Sequence, residues 1–148
     1  PFTIDGSTCL VLGYGRVARA LTKRLVALGA RVTVVARNPR QLEEAAAAGA
    51  SRRALFLLGE EIRKAEIVFN TIPAPVLTAG ILEEAPSRLL IIDLASAPWG
   101  TDFDAAARKG IKAFPAPGLP GKVAPETAGK ILATHLPGLI EEACARPD

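Results

Sequence analysis

Short apolar runs alternate with amphipathic stretches along the chain, and this alternation predicts strands separated by helices. The runs have the length of strands and are apolar at nearly every position, as in Ile67–Asn70, which is typical of strands covered on both faces. The stretches between them show helical spacing, clearest at Val17, Leu21 and Leu25, and turn residues such as Gly29 follow them. The pattern therefore predicts an α/β fold.

Turn residues set the limits of these elements, with Asn38 as the cap and Pro39 as the first residue of the second helix. The strands are predicted at Thr8–Leu12, Arg31–Ala36, Arg53–Leu57, Ile67–Asn70, Leu89–Leu94 and Lys112–Phe114. The helices are predicted at Arg16–Leu28, Pro39–Ala48, Glu60–Lys64, Val76–Ala85, Phe103–Lys109 and Pro125–Ala143. Because crossovers between parallel strands are right-handed, this order predicts a doubly wound parallel sheet of the Rossmann type, with strand order 3-2-1-4-5-6, in one domain that spans residues 1–148.

A glycine motif lies where the first strand meets the first helix. Residues 13–18 read Gly-Tyr-Gly-Arg-Val-Ala. Gly13 permits a tight turn, Gly15 lets the backbone approach a pyrophosphate, and Ala18 lets helix and strand pack closely. The free N–H groups at the start of the helix would then face the phosphates. Alone the motif is a weak signal, but between a strand and a helix it predicts a dinucleotide site rather than a glycine turn without a ligand.

The end of the second strand predicts which dinucleotide binds. An NAD-binding chain usually carries an acidic residue there for the ribose hydroxyls, but residues 36–40 here read Ala-Arg-Asn-Pro-Arg. A carboxylate would repel a 2′-phosphate, whereas Ala36 leaves room and Arg37 and Arg40 supply charge-assisted hydrogen bonds. We therefore predict NADP as the cofactor, with NAD less favoured. The alternative is that both arginines belong to a solvated helix start.

Three further loops follow strands at the same edge of the sheet, where ligands bind in this fold. Thr71 offers a hydroxyl after the fourth strand, although Pro73 also accounts for the end of that strand. Asp93 would hold either a ribose or its own loop. In the loop from Gly118 to Pro125, glycine N–H groups and Lys122 predict an anion- or carboxamide-binding corner, although an exposed lysine is often only solvated. The candidate cofactor-binding residues are Gly13, Tyr14, Gly15, Arg16, Val17, Ala36, Arg37, Asn38, Arg40, Thr71, Ile72, Pro73, Asp93, Leu94, Ala95, Gly118, Leu119, Pro120, Gly121 and Lys122.

Composition excludes several classes of partner. A length of 148 residues with 49% hydrophobic and 22% charged residues predicts a globular domain. The net charge of +3 comes without a basic cluster interleaved with aromatics, which make up 5%, so no nucleic-acid partner is expected. No apolar run is long enough to cross a bilayer and no leader of signal-peptide type is present, so we expect no membrane association and a cytoplasmic location.

Residues for metal binding or acid–base catalysis are scarce. His135 is the single histidine, and Cys9 and Cys144 lie far apart without a metal-ligand spacing, so we expect no metal site and two free thiols. The sequence offers no convincing general acid–base pair, which leaves the catalytic residues unassigned. Methionine is absent even at position 1, so we expect a fragment whose chemistry is completed elsewhere.

These segments together resemble the NADP-binding C-terminal half of the dipicolinate synthase A-subunit family, over most of the chain. The resemblance rests on residues 12–17, 34–37, 70–74, 92–96 and 116–125. The last segment, Ala-Pro-Gly-Leu-Pro-Gly-Lys-Val-Ala-Pro, is far more specific than the glycine motif. The same domain is similar to the cofactor domains of D-2-hydroxyacid dehydrogenases and adenosylhomocysteine hydrolases, whose catalytic Arg, Glu and His residues have no match here.

The resemblance implies an NADP-dependent oxidoreductase of spore-forming bacteria. It implies that a dihydro- or hydroxytetrahydrodipicolinate precursor, a small dicarboxylate, is oxidised to dipicolinate while NADP⁺ accepts hydride. It also implies an N-terminal substrate domain and a flavoprotein-like partner protein, both outside this chain, so the isolated chain is expected to bind cofactor and turn over little or nothing. Two alternatives stay open, the cofactor domain of a D-2-hydroxyacid dehydrogenase and a nucleotide-sensing module. The sequence also leaves the oligomeric state open, and a homo-oligomer is among the states that it allows.

Overall fold

A doubly wound parallel sheet forms the centre of the domain, and the computed structural model describes residues 3–116 and residue 138. The strands are β1 (Thr8–Leu12), β2 (Arg31–Ala36), β3 (Ser51–Ala54), β4 (Ile67–Asn70), β5 (Leu90–Asp93) and β6 (Lys112–Pro115). The helices are α1 (Arg16–Ala27), α2 (Pro39–Ala47), α3 (Leu58–Ile62), α4 (Ala79–Glu83) and α5 (Phe103–Arg108), and a 3₁₀ turn at Leu55–Leu57 precedes α3. All neighbouring strands pair in parallel, in the order β3-β2-β1-β4-β5-β6. The predicted fold class and strand order are confirmed.

Each central strand supplies two hydrophobic cores, because successive side chains point to opposite faces of the sheet. In β1, Cys9 and Val11 pack with α1 and α2, whereas Leu10 and Leu12 pack with α3, α4 and α5. Every residue of β4 and β5 is buried. Burial on both faces explains the continuous apolar runs in the sequence. Because the strands pair in parallel, their C-terminal ends lie in a row along one edge of the sheet.

Strand β3 lies earlier in the chain than the predicted Arg53–Leu57. Its register with β2, which sets Ala54 opposite Ala36, determines its position. An edge strand buries little of its surface, so the exposed polar residues 51–53 can form it. The apolar run that follows forms the 3₁₀ turn instead and brings the start of α3 forward to Leu58.

Helix α4 begins later than the predicted start at Val76. The N–H groups of Val76 and Leu77 donate to the carbonyl oxygen of Gly100 at 3.1 and 2.8 Å, and this contact holds them outside the helix. Thr78 then caps α4, since its Oγ1 accepts from the N–H of Ile81 at 3.5 Å. A tertiary contact with a distant loop therefore overrides the helical spacing of this segment.

The predicted final helix, Pro125–Ala143, and the predicted loop from Gly118 to Lys122 lie outside the described residues, apart from Gly138, which is helical and exposed. The bounds of β1, β2 and β4 match the prediction to the residue. Within residues 3–116, no helix is both long and apolar enough to cross a bilayer.

Candidate functional site

The first glycine of the motif connects the turn after β1 to the neighbouring strands through a hydrogen bond and close packing. The N–H of Gly13 donates to the carbonyl oxygen of Val35 in β2 at 2.9 Å. Its φ of +84° is a conformation that glycine adopts readily. A Cβ at this position would lie 2.7 Å from Oγ1 of Thr71, which follows β4. Gly13 is therefore required by the protein's own packing.

The second glycine leaves open space in front of α1. Gly15 caps the helix with an extended conformation and no side-chain hydrogen bond, and a Cβ there would meet nothing within 4 Å. The first turn of α1 contains no acidic residue, and Arg16 is its first residue. A cation at this end opposes the helix dipole, so an anion bound there would relieve the repulsion. The open turn fits the close backbone approach that a pyrophosphate needs.

A cleft of ≈ 590 Å³ opens at the C-terminal ends of β1, β2 and β4, where the strand order reverses. Five of its lining residues are predicted site residues, whereas Pro39 and Gln41 are not. Gln41 is the third residue of α2. Its place in the cleft wall depends on how that helix packs against the sheet. No carboxylate lines the cleft among the described residues. The lining residues are Gly13, Ala36, Arg37, Asn38, Pro39, Gln41 and Ile72.

Of the two arginines at the start of α2, one lines this cleft. Asn38 caps the helix as predicted, with its Oδ1 accepting from the N–H of Arg40 at 2.9 Å. Arg37 is exposed and forms no ion pair with the other residues in the described part of the chain. Arg40, however, is not among the lining residues, and its Nε lies 3.5 Å from Oε1 of Glu44. Of the two predicted arginines, the structure thus brings Arg37 alone to the cleft wall.

The segment after β4 closes the cleft on the other side. The hydroxyl and the N–H of Thr71 both donate to the carbonyl oxygen of Leu12, at 2.7 and 3.0 Å, so this side chain ties β4 to β1. Ile72 lines the cleft and Pro73 is exposed. The hydroxyl proton of Thr71 is therefore used within the fold, whereas its oxygen can still accept a hydrogen bond.

Of the two roles predicted for Asp93 at the end of β5, the structure shows the contacts that hold its own loop. It is fully buried. Its Oδ1 accepts from Nδ2 of Asn70 and from the N–H of Ala95, both at 3.0 Å. Its Oδ2 accepts from the N–H of Gly100 at 3.1 Å and from the hydroxyl of Thr101 at 2.6 Å. With both oxygens occupied by protein donors, the carboxylate holds its own loop.

Several other candidate residues have largely buried side chains. Tyr14 is 2% exposed and packs in the core beneath α1. Burial raises the pKa of its phenol, and the Arg19 guanidinium 5.8 Å from the ring centroid opposes that shift. Leu94 and Ala95 are buried as well. Val17 is partly buried and packs against the same core as Tyr14 and Leu94.

A Rossmann-type sheet, an open glycine turn and a cleft at the reversal of strand order define a dinucleotide-binding domain. Residues 2–107 match a family model described as "Putative NAD(P)-binding", and the chain belongs to this family. The chain is also 44% identical, over 95% of its length, to the A subunit of dipicolinate synthase from Bacillus subtilis, of which it covers 48%. The chain is thus homologous to the A subunit of dipicolinate synthase.

Solved structures agree with both statements. The crystal structure of the dipicolinate synthase A subunit from Bacillus halodurans is 46% identical, with a TM-score of 0.78, over 99% of this chain and 49% of that one. A 3-hydroxyisobutyrate dehydrogenase of Mycobacterium tuberculosis is 22% identical, with a TM-score of 0.61, over 76% of this chain and 40% of that one. The second likeness shows the fold alone, so the relation to dehydrogenases is distant. The chain spans about half the length of these dipicolinate synthase relatives.

Proposed function

We propose that this chain is the NADP-binding domain of a dipicolinate synthase, within its A subunit. The observation that carries the proposal is the 44% identity over 95% of the chain. In the proposed reaction a dihydrodipicolinate gives up a hydride to the cofactor and a proton to solvent, which yields dipicolinate. A hydroxytetrahydrodipicolinate precursor would first lose water to give the same dihydro compound. A substrate domain, a flavoprotein-like partner protein and a cytoplasmic location complete this proposal, and the nucleotide-binding residues in this chain are its testable core.

The residues at the cleft have separate proposed roles towards the dinucleotide. Gly15 and the N-terminus of α1 would hold the pyrophosphate, because that end of the helix is open and free of acidic side chains. Ile72 and Gln41 would contact the adenosine, since both line the cleft. The segment from Gly118 to Lys122, with its glycine N–H groups and its lysine, would bind near the reactive end of the cofactor.

The choice of NADP over NAD follows from the end of β2. Ala36 is small, Arg37 is exposed beside it, and no carboxylate lines the cleft among the described residues. A ribose 2′-phosphate placed there would gain charge-assisted hydrogen bonds from Arg37 without repulsion. NAD would lose this contact but keep the pyrophosphate contacts.

A titration of the chain with NADPH and with NADH tests the choice of cofactor. Tighter binding of NADPH is expected, and Arg37→Asp is expected to weaken NADPH roughly tenfold or more while changing NADH much less. Arg88→Asp is the matched control, because Arg88 is exposed and precedes β5 at the opposite edge of the sheet. Equal affinity for both nucleotides in the unmutated chain would refute the argument from Arg37.

The reaction itself needs the full-length protein with its flavoprotein-like partner. Supplying the dihydrodicarboxylate precursor should then reduce bound NADP⁺, which NADPH absorbance reports. A nucleotide-sensing module would bind NADP⁺ without reducing it. The isolated chain is expected to form little or no dipicolinate, and substantial formation by the chain alone would contradict the division of labour proposed here.

A further inference from the structure

Glu44 on α2 is shared by two arginines. Its Oε2 lies 2.7 Å from Nη2 of Arg19 on α1, and its Oε1 lies 3.5 Å from Nε of Arg40. The side chain of Arg40 is 87% exposed and that of Glu44 is 35% exposed. This carboxylate is therefore a counter-ion for both arginines, and it is not part of the cleft wall.

Arg40 pairs with Glu44 and does not line the nucleotide cleft. Pro39 and Gln41, on either side of Arg40 in the chain, both line the cleft, but Arg40 does not. Side chains in a helix lean towards its N-terminus, which for α2 is the end at Asn38 and the cleft. Pairing with a residue four positions later draws the guanidinium in the opposite direction. Rotation of an exposed side chain is enough to reverse this.

Three features make the Arg40–Glu44 contact weak. A cation placed N-terminal to its acidic partner at this spacing is the less favourable order on a helix. Arg40 also lies in the first turn of α2, where the helix dipole disfavours positive charge. The pair is exposed, and exposed ion pairs contribute little to stability. A dianionic phosphate in the cleft would compete well for this guanidinium.

We infer that Glu44 is a specificity-determining residue of the nucleotide site, because it competes with the 2′-phosphate of NADP for Arg40. The inference rests on the proposed function. When NADP binds, Arg40 exchanges Glu44 for the phosphate, whereas NAD leaves the ion pair intact. Glu44 therefore lowers the preference for NADP below the level that Arg37 and Arg40 would give without it.

The ion pair between Glu44 and Arg19 has a second effect, which the test must distinguish from the effect through Arg40. The Nε of Arg19 donates to the carbonyl oxygen of Tyr14 in the glycine turn at 3.3 Å. Removing the charge of Glu44 thus alters the surroundings of that turn, which both nucleotides use. An effect transmitted through Arg19 changes NADH and NADPH affinity alike, whereas an effect through Arg40 changes their ratio.

The test is the ratio of the NADH to the NADPH dissociation constant, measured by titration at low salt. Glu44→Gln is expected to raise this ratio about threefold, the size of an exposed ion pair, and the increase should shrink at high salt. Glu43→Gln is the matched control, since Glu43 is the adjacent exposed glutamate and forms no ion pair with the other described residues. It should change the ratio clearly less.

Arg40 supplies the second arm of the test. Arg40→Gln is expected to lower the ratio, and adding Glu44→Gln to it should then leave the ratio unchanged. The inference is overturned if Glu44→Gln changes both affinities equally, or if Arg40→Gln leaves the ratio unchanged. In either case, NADPH binding by the unmutated chain still supports the proposed function. If the unmutated chain binds neither nucleotide, the proposed function fails and the inference fails with it. Denaturant unfolding of each variant verifies that all are folded.

Discussion

Two glycines of one motif lie in different surroundings, one constrained by the fold and one open, and we propose ligand access as the purpose of the open one. At Gly13 the positive φ and the nearby Oγ1 of Thr71 leave no place for a side chain. At Gly15 the φ of −77° is ordinary and the space around a Cβ is open. The motif therefore combines a position required by the fold with a position that the fold leaves free.

Alanine substitutions separate these two purposes. Gly13→Ala is expected to lower the free energy of unfolding by about 2 kcal/mol or more, because it adds both backbone strain and a steric clash. Gly15→Ala is expected to change that free energy by less than about 1 kcal/mol, since the new methyl meets nothing, but to weaken NADPH binding at least roughly tenfold. Urea unfolding and NADPH titration measure the two effects. Normal NADPH binding by a folded Gly15→Ala protein would contradict the assigned pyrophosphate site.

At the scale of elements, one buried network joins the loops that follow β4 and β5. Asp93 accepts from Asn70, Gly100 and Thr101, which belong to both segments. A Cβ on Gly100 would lie 2.4 Å from Nδ2 of Asn70, so the loops are in direct contact. One wall of the cleft, at Ile72, is attached to this network through Asn70. The network thus holds Ile72, and with it one wall of the cleft, in place.

Replacing the buried carboxylate with an amide tests the network. In Asp93→Asn, one oxygen becomes an NH₂ group that faces N–H and O–H donors, so we expect a loss of roughly 2–3 kcal/mol in the free energy of unfolding. Asp102→Asn is the matched control, because Asp102 caps α5 and asparagine caps a helix equally well. It should cost less than about 0.5 kcal/mol. Equal stabilities of the two variants in urea would show that the network contributes little.

The elements also differ in how closely the sequence predicts their positions. The strands β1, β2 and β4 were predictable to the residue, because burial on both faces leaves a continuous apolar run. The positions of β3 and α4 depend on partners far away in sequence, namely the register with β2 and the carbonyl of Gly100. Within the site, Gly13, Ala36 and Arg37 follow from local motifs. Local sequence could not reveal that Gln41 faces the cleft or that Asp93 is enclosed by donors.

At the scale of the whole molecule, the buried thiol of Cys9 in β1 makes the free energy of unfolding decrease as the pH rises through the alkaline range. Burial raises the pKa of Cys9 from 9.0 to about 11, since the folded sheet disfavours the thiolate. Between these values the unfolded chain has lost the proton and the folded chain has kept it. The stabilisation is complete below pH 9 and is lost as the pH rises towards about 11.

Stability measured across this range checks the prediction. The free energy of unfolding should fall by about 1.4 kcal/mol per pH unit above pH 9 on account of Cys9. Cys9→Ala should be less stable near neutral pH because it leaves a cavity, yet it should lack this part of the alkaline decline. The difference between the two curves isolates Cys9 from other groups such as Tyr14. A constant difference from pH 8 to 11 would contradict the assignment.

The central claim concerns the whole domain, namely that one nucleotide spans the glycine turn, the start of α2 and the segment after β4. Amide chemical-shift mapping of the chain with NADPH tests this claim most directly. The largest shifts are expected at residues 13–18, 36–41 and 71–73, which meet at the C-terminal edge of the sheet. Shifts that are absent at saturating NADPH, or that are confined to the opposite edge near Glu66 and Leu89, would contradict it.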